Sequence, residues 1–218
     1  MIIRRKYRMG ITERIDNITR LDDKYRHATL PAPKSVKIEL SPRCNYRCGF
    51  CALRTRKNQL KEDMDFGFFQ RITKEMREAG VEEIGCFYLG ESFMNPELLI
   101  DAVHYLKKEL AFPYVFLTSN ASLAYPEVVD ALMKAGLDSL KWSVNACDDD
   151  QFKDVMGVKP RLFEDALENI KSAWHIRNLG NYKTGLYASS IQYDDTQKDR
   201  MEHILKSVTH YVDQHYWL

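Results

Sequence analysis

The chain has 218 residues, of which 44% are hydrophobic and 29% charged. That is enough for one large domain with its own core, and the balance excludes a disordered polypeptide. Lys and Arg total 32 against 31 Asp and Glu, so no overall field draws the protein to nucleic acid or anionic lipid. No run approaches the ~20 apolar residues that span a bilayer. The basic start (Arg4, Arg5, Lys6, Arg8) lacks the apolar segment of a secretory signal. A cytoplasmic location is expected.

Residues 1–34 read as an N-terminal arm. Ile11 to Arg26 is polar with a thin stripe of Ile15, Ile18 and Leu21, which predicts a helix packed on the outside of the main domain. Pro31 and Pro33 break it. Residues 35–218 then alternate. Val36 to Leu40 predicts a strand. Asp65 is positioned to cap a helix with Phe66, Phe69, Ile72 and Met76 on its apolar face and Gly80 past its end. Ile84 to Leu89 predicts the second strand, and Asn95-Pro96 the start of a second helix. Tyr114 to Thr118 is the third strand, followed by a helix from Pro126 that ends at Gly136. The fourth strand lies within Leu137 to Val144, with a helix marked by Phe163, Ala166, Leu167, Ile170 and Trp174 after it. Thr184 to Tyr193, Asp195 to Val208 and His210 to Leu218 predict strand, helix and strand.

Alternating strands and helices build a parallel sheet, because each helix returns the chain to the same end. Six strands are too few for the closed eight-stranded barrel. The expected fold class is α/β, a partial (β/α)6 barrel of parallel strands preceded by an N-terminal helical arm. Functional groups belong at the C-terminal strand ends. The apolar, strand-like end Tyr216-Trp217-Leu218 would leave an exposed edge, so the chain is expected to be a piece of a longer polypeptide. Intact mass of the native gene product checks this.

Three of the five cysteines, Cys44, Cys48 and Cys51, fall within eight residues directly after the first strand. An odd, clustered set is not a disulfide framework. Thiolates ligate both iron–sulfur clusters and zinc. Three ligands leave one position of a [4Fe–4S] cube open, as a catalytic site requires. A zinc knuckle with a distant fourth ligand, or no metal, remains open on spacing alone.

The run Cys44-Asn45-Tyr46-Arg47-Cys48-Gly49-Phe50-Cys51 has the form C-x3-C-x2-C with an aromatic residue before the last cysteine. It resembles the radical S-adenosylmethionine (radical SAM) superfamily, and the resemblance runs from about Lys34 to Leu218. It implies that Cys44, Cys48 and Cys51 hold a [4Fe–4S] cluster whose open iron takes S-adenosylmethionine. It further implies reductive cleavage to a 5′-deoxyadenosyl radical that abstracts hydrogen from a substrate.

The same resemblance supplies cofactor-binding expectations. Tyr88-Leu89-Gly90-Glu91-Ser92 is similar to the family's Gly-Gly-Glu, with Leu89 in place of the first glycine, and implies that Gly90 and Glu91 receive the methionine amino group. Thr118-Ser119-Asn120 and Ser143-Val144-Asn145-Ala146 resemble its third and fourth motifs and imply Ser119, Asn120, Ser143 and Asn145 around ribose and methionine. Turn and cap roles stand beside these. Phe50, and Leu186 and Ser189 on the fifth strand, are further expected neighbours. Met156-Gly157 stands where relatives carry Arg-Gly, so the carboxylate partner is unassigned among Lys153, Lys159 and Arg161.

Cys147 is a weak candidate hydrogen-atom donor, set against a packed thiol. No cysteine follows it, so auxiliary clusters are either cut away or not used. The basic loop Arg54 to Lys61 is solvated charge or a phosphate grip. The leading reading is a peptide- or small-natural-product-modifying radical SAM enzyme of the SPASM type, served by an electron donor such as flavodoxin or ferredoxin. Neither membrane nor nucleic acid is an expected partner. The alternatives are a tRNA- or nucleotide-modifying radical SAM enzyme and a non-catalytic iron–sulfur or zinc protein. A plain Rossmann dehydrogenase is disfavoured because no G-x-G-x-x-G follows a strand.

Overall fold

A computed structural model describes residues 10–19, 30–55, 58 and 60–218. The predicted continuation of the first helix through Leu21 to Arg26, and Arg56 and Lys57 of the basic loop, lie outside these residues. Six strands form one parallel sheet in the order of the chain: β1 (Ser35–Lys37), β2 (Glu83–Gly85), β3 (Tyr114–Ser119), β4 (Ser139–Ser143), β5 (Gly185–Ser190) and β6 (Gln214–Trp217). β1 and β6 each have one strand neighbour. The sheet is therefore an open partial barrel with a seam between its first and last strands.

Among the described residues seven α-helices accompany it: α1 (Ile11–Thr19), α2 (Phe66–Glu78), α3 (Pro96–His104), α4 (Pro126–Ala135), α5 (Asp149–Met156), α6 (Arg161–Leu179) and α7 (Gln197–Val208). The predicted caps hold. Asp65 accepts from Phe68 N at 2.7 Å and Asn95 from Leu98 N at 3.1 Å. Gly136 ends α4 at φ 106°, a conformation that costs a glycine little. A single π-turn, Tyr105–Glu109, prolongs α3. No helix among the described residues is long and apolar enough to cross a membrane.

Burial alternates along β3, while every residue of β2 and β5 is buried. Val115, Leu117, Leu140, Trp142, Leu186 and Ala188 face outward and are buried in one core with Leu99, Val103, Val129, Leu132, Ile170 and Met201 of the helices. The intervening positions, among them Tyr114, Phe116, Thr118, Lys141 and Ser143, face the barrel interior.

Two findings differ from the sequence expectation. Helix α5 was not predicted. Its cap, Asp148, accepts from Gln151 N at 2.8 Å, and only Phe152 and Met156 are buried. Helix α1 closes the floor of the barrel rather than coating its outside. Ile11 N donates to Gln214 Oε1 at 3.1 Å, and Arg14 pairs with Glu83 and stacks on the Tyr114 ring. Glu83, Tyr114 and Gln214 are the first residues of their strands, so α1 joins β2 and β3 to β6 across the seam.

Candidate active site

The cysteine loop leaves the C-terminal end of β1 and is pinned from two sides. Arg47 N donates to Met156 O at 2.9 Å and Gly49 N to Val155 O at 2.8 Å, so the end of α5 holds the loop's outer edge. At Gly157, which turns the chain at φ 66°, a Cβ would stand 2.9 Å from Arg47 O. On the other side Glu91 N donates to Arg43 O at 2.8 Å. A Cβ on Gly90 would collide with the carbonyl oxygen of Ser41 and lie 2.8 Å from that of Arg43. Only glycine permits this approach.

Cys44, Cys48 and Cys51 line one cavity of about 390 Å³ with Pro42, Tyr46 and Arg47. Burial pushes the Cys44 thiol up to about 11 and that of Cys48 to about 12. Alone, these thiols keep their protons at neutral pH. A strongly electropositive centre is what draws thiolates from such an environment. The Cys48 sulfur lies 3.4 Å from the Met156 sulfur. Among the described residues no three His, Cys, Asp or Glu side chains already converge as the ligand shell of a single metal ion. The donor set is three soft ligands around a cavity, which fits an iron–sulfur cluster in chemistry and in room.

Most of the predicted cofactor-binding residues lie at the C-terminal strand ends, the rim of the barrel, and none of them lines that cavity. Glu91 is 3% exposed. Its carboxylate accepts from Ser119 Oγ at 2.7 Å, Asn120 N at 2.8 Å and Phe93 N at 3.1 Å. Burial raises its pKa against these hydrogen bonds. Glu91 thus clamps the loops after β2 and β3 together. Asn120 Nδ2 donates to Asn45 Oδ1 at 2.9 Å, and Asn45 Nδ2 to Ser122 Oγ at 2.8 Å, which ties the third loop to the cysteine loop. Asn120, Ser143 and Asn145 line a second cleft, and Tyr46 is a wall of both. Asn145 Oδ1 accepts from Ile191 N at 3.1 Å and joins the ends of β4 and β5.

Ser189 is buried on β5, in register with Ser143 on one side and Tyr216 on the other. Phe50 is half exposed, its ring centroid 5.9 Å from that of Tyr193. Cys147 is set apart: it is buried, and its thiol donates to Asp148 Oδ2 at 3.1 Å. Lys153, Lys159 and Arg161 are exposed, while Met156 is packed against the cysteine loop.

Three site residues escape a reading of motifs. Glu39, two residues past β1, accepts from Leu89 N at 2.8 Å and Gly90 N at 2.7 Å, which fixes the glycine loop. Asn45 sits inside the cysteine run but acts across space. Tyr193 follows β5, and its buried hydroxyl has no hydrogen-bond partner among the described residues. Only Asn45 had a sequence signal, its place within the triplet.

Comparison with known proteins accords with this geometry. The chain is 36% identical over 98 residues to the S-adenosylmethionine-dependent nucleotide dehydratase of Danio rerio, covering 44% of this chain and 26% of that protein. It is 28% identical over 138 residues to the PqqA peptide cyclase of Xanthomonas campestris, covering 62% and 35%. The matches thus span only about a quarter to a third of these relatives. SuiB of Streptococcus suis, solved bound to S-adenosylmethionine, shares the fold at TM-score 0.69 and 19% identity, over 89% of this chain and 42% of that one. The sequence profile of the Radical SAM superfamily matches residues 38–176, more than half of the chain. This chain belongs to the radical SAM superfamily, whose members use a [4Fe–4S] cluster and S-adenosylmethionine.

Proposed function

We propose that Cys44, Cys48 and Cys51 hold the cluster and that the enzyme takes a hydrogen atom from a peptide or small-molecule substrate. The observation that carries this is the convergence of all three thiols on one cavity at the C-terminal end of β1, in a chain of this superfamily. When bound, the cluster supplies the electron that splits S-adenosylmethionine, and the 5′-deoxyadenosyl radical so formed takes the hydrogen.

The chain's own residues orient the reactants. The Gly90 main chain and the buried negative charge of Glu91 meet the cationic amino group of S-adenosylmethionine. Asn120, Ser143 and Asn145 offer hydroxyl and amide groups to ribose and methionine along the cleft behind Tyr46, and Ser119 acts through its hydrogen bond to Glu91. Ser189 and Phe50 bound the site on the β5 side. Flavodoxin or ferredoxin delivers the electron.

A peptide substrate is supported by the likeness to the PqqA peptide cyclase. A nucleotide substrate is the second reading, favoured by the likeness to the nucleotide dehydratase and to a probable GTP 3′,8-cyclase of Thermoplasma volcanium, 30% identical over 130 residues. The test is 5′-deoxyadenosine formation by the reduced, reconstituted protein, with ribonucleoside triphosphates or peptides added. Stimulation by one class assigns the substrate. No 5′-deoxyadenosine under any condition contradicts the reading.

A further inference from the structure

Beneath the rim lies a further cavity of about 250 Å³, inside the barrel. Its floor is α1, through Ile11, Arg14 and Ile15. Its walls include Phe87, Phe116 and Tyr216, and Thr118 and Lys141 reach toward the rim. Lys37 on β1 and Tyr216 on β6 both line it, so it faces the open seam. Lys141 precedes Ser143 by two residues on one strand. Its side chain therefore enters the same interior about 7 Å below the proposed cofactor cleft.

The charges in this cavity do not balance. Its lining holds three cations, Arg14, Lys37 and Lys141, and one carboxylate, Glu83. Glu83 is taken by Arg14. Lys37 and Lys141 have no ion pair or hydrogen bond among the described residues. Their contacts are with rings: Lys37 Nζ lies 5.1 Å from the Phe87 centroid and Lys141 Nζ 5.9 Å from that of Tyr216. The titratable groups facing them from the other elements are Arg14, Glu83, Tyr114 and Tyr216, with Tyr187 in register beside Lys141 on β5. Burial keeps the Tyr216 phenol neutral, so it is a hydrogen-bond donor and not a counterion.

A partly buried lysine without a partner is costly. Lys141 bears the sign of that cost, its pKa lowered to about 8 by burial and then by the charge of Lys37. Nothing in packing requires an ammonium there, since methionine would fill the same position. The partly buried Lys141 ammonium is placed instead to meet an anion in an aromatic-walled space, where such a contact is strengthened, with the exposed Lys37 at the mouth of the cavity on the seam side.

We propose that Lys37 and Lys141 form a substrate subsite that binds a phosphate or carboxylate group of a small molecule inside the barrel. The size of the cavity suits a small ligand and not a stretch of peptide main chain. This inference rests on the proposed function and narrows its substrate class: an anionic small molecule enters by the seam, anchors its charge on the two lysines, and lays its body beneath the rim.

The test is calorimetric titration of the full reconstituted chain, with S-adenosylmethionine present, using pyrophosphate and malonate as probes. Iron content and S-adenosylmethionine binding are read in the same wild-type samples, so failure of the cofactor reading is seen separately. At least one probe is expected to bind, and Lys141→Met and Lys37→Met each to weaken it roughly ten- to a hundredfold, the worth of a hydrogen bond to a charge. Binding of pyrophosphate alone assigns a phosphate, and binding of malonate alone a carboxylate. If wild-type protein binds neither probe, or the Lys141→Met variant binds as tightly as wild type, the subsite does not exist.

Discussion

The rim and the lumen of this barrel are built on opposite rules. At the rim, polar groups satisfy one another, with the Tyr193 hydroxyl an exception among the described residues. Glu91 accepts from Ser119, Asn120 and Phe93, Glu39 from Leu89 and Gly90, and Asn45 bridges Asn120 and Ser122. In the lumen, Lys37 and Lys141 face rings. Closed networks fix positions, which a site for a cofactor of constant shape requires. Unmet charge lowers stability and is retained where a ligand supplies the partner.

Perturbing each region therefore has different consequences. The largest effect falls on the rim's metal side: replacing Cys44, Cys48 and Cys51 together by alanine should abolish iron incorporation and 5′-deoxyadenosine formation, read by iron analysis and chromatography. Next is Glu91→Gln. An amide in place of the carboxylate sets a donor among donors, and about 2–3 kcal/mol of stability should be lost, measured by chemical denaturation. S-adenosylmethionine affinity should fall with it. Gly90→Ala drives a Cβ into the Ser41 carbonyl and should cost about 1–3 kcal/mol, visible in the same assay. An unchanged Gly90→Ala variant would mean that the two loops do not touch.

The smallest effect has the opposite sign. Lys141→Met should stabilise the protein by roughly 0.5–2 kcal/mol at neutral pH. The sign follows from the lowered pKa, about 8 against 10.5 unfolded. Below pH 8 the folded chain holds the ammonium in a poor site and the cost is complete. Between about 8 and 10.5 the folded chain releases the proton while the unfolded chain keeps it, so wild-type stability rises relative to the variant. The advantage of methionine should fade across that window in melting curves. A variant less stable than wild type at pH 7 would show that Lys141 has an internal partner.

How much of this was legible depends on how local each cause is. The strands from Tyr114 and Ser139 onward, and the caps at Asp65, Asn95 and Gly136, are set by alternation and by neighbouring residues, and they read directly, whereas β1 and β2 end at Lys37 and Gly85, short of the predicted Leu40 and Leu89. The cysteine triplet reads for the same reason, since one loop carries it. Helix α5 was hidden because Asp148-Asp149-Asp150 reads as solvated charge and only two of its residues are buried. Glu39 and Tyr193 become site residues only when distant loops meet. Lys141 had a signal that motif reading passes over: Leu140-Lys141-Trp142-Ser143-Val144 puts charge at an inward position of a strand whose other face is wholly apolar.

The central claim is that these three thiols support radical chemistry. Its most direct measurement is anaerobic reconstitution of the chain, iron and sulfide analysis, then reduction with S-adenosylmethionine and detection of 5′-deoxyadenosine. The account predicts ~4 irons per chain, as for one [4Fe–4S] cluster, with 5′-deoxyadenosine formed and both lost in the triple alanine variant. Zinc in place of iron, or a full cluster that never cleaves S-adenosylmethionine, would contradict it.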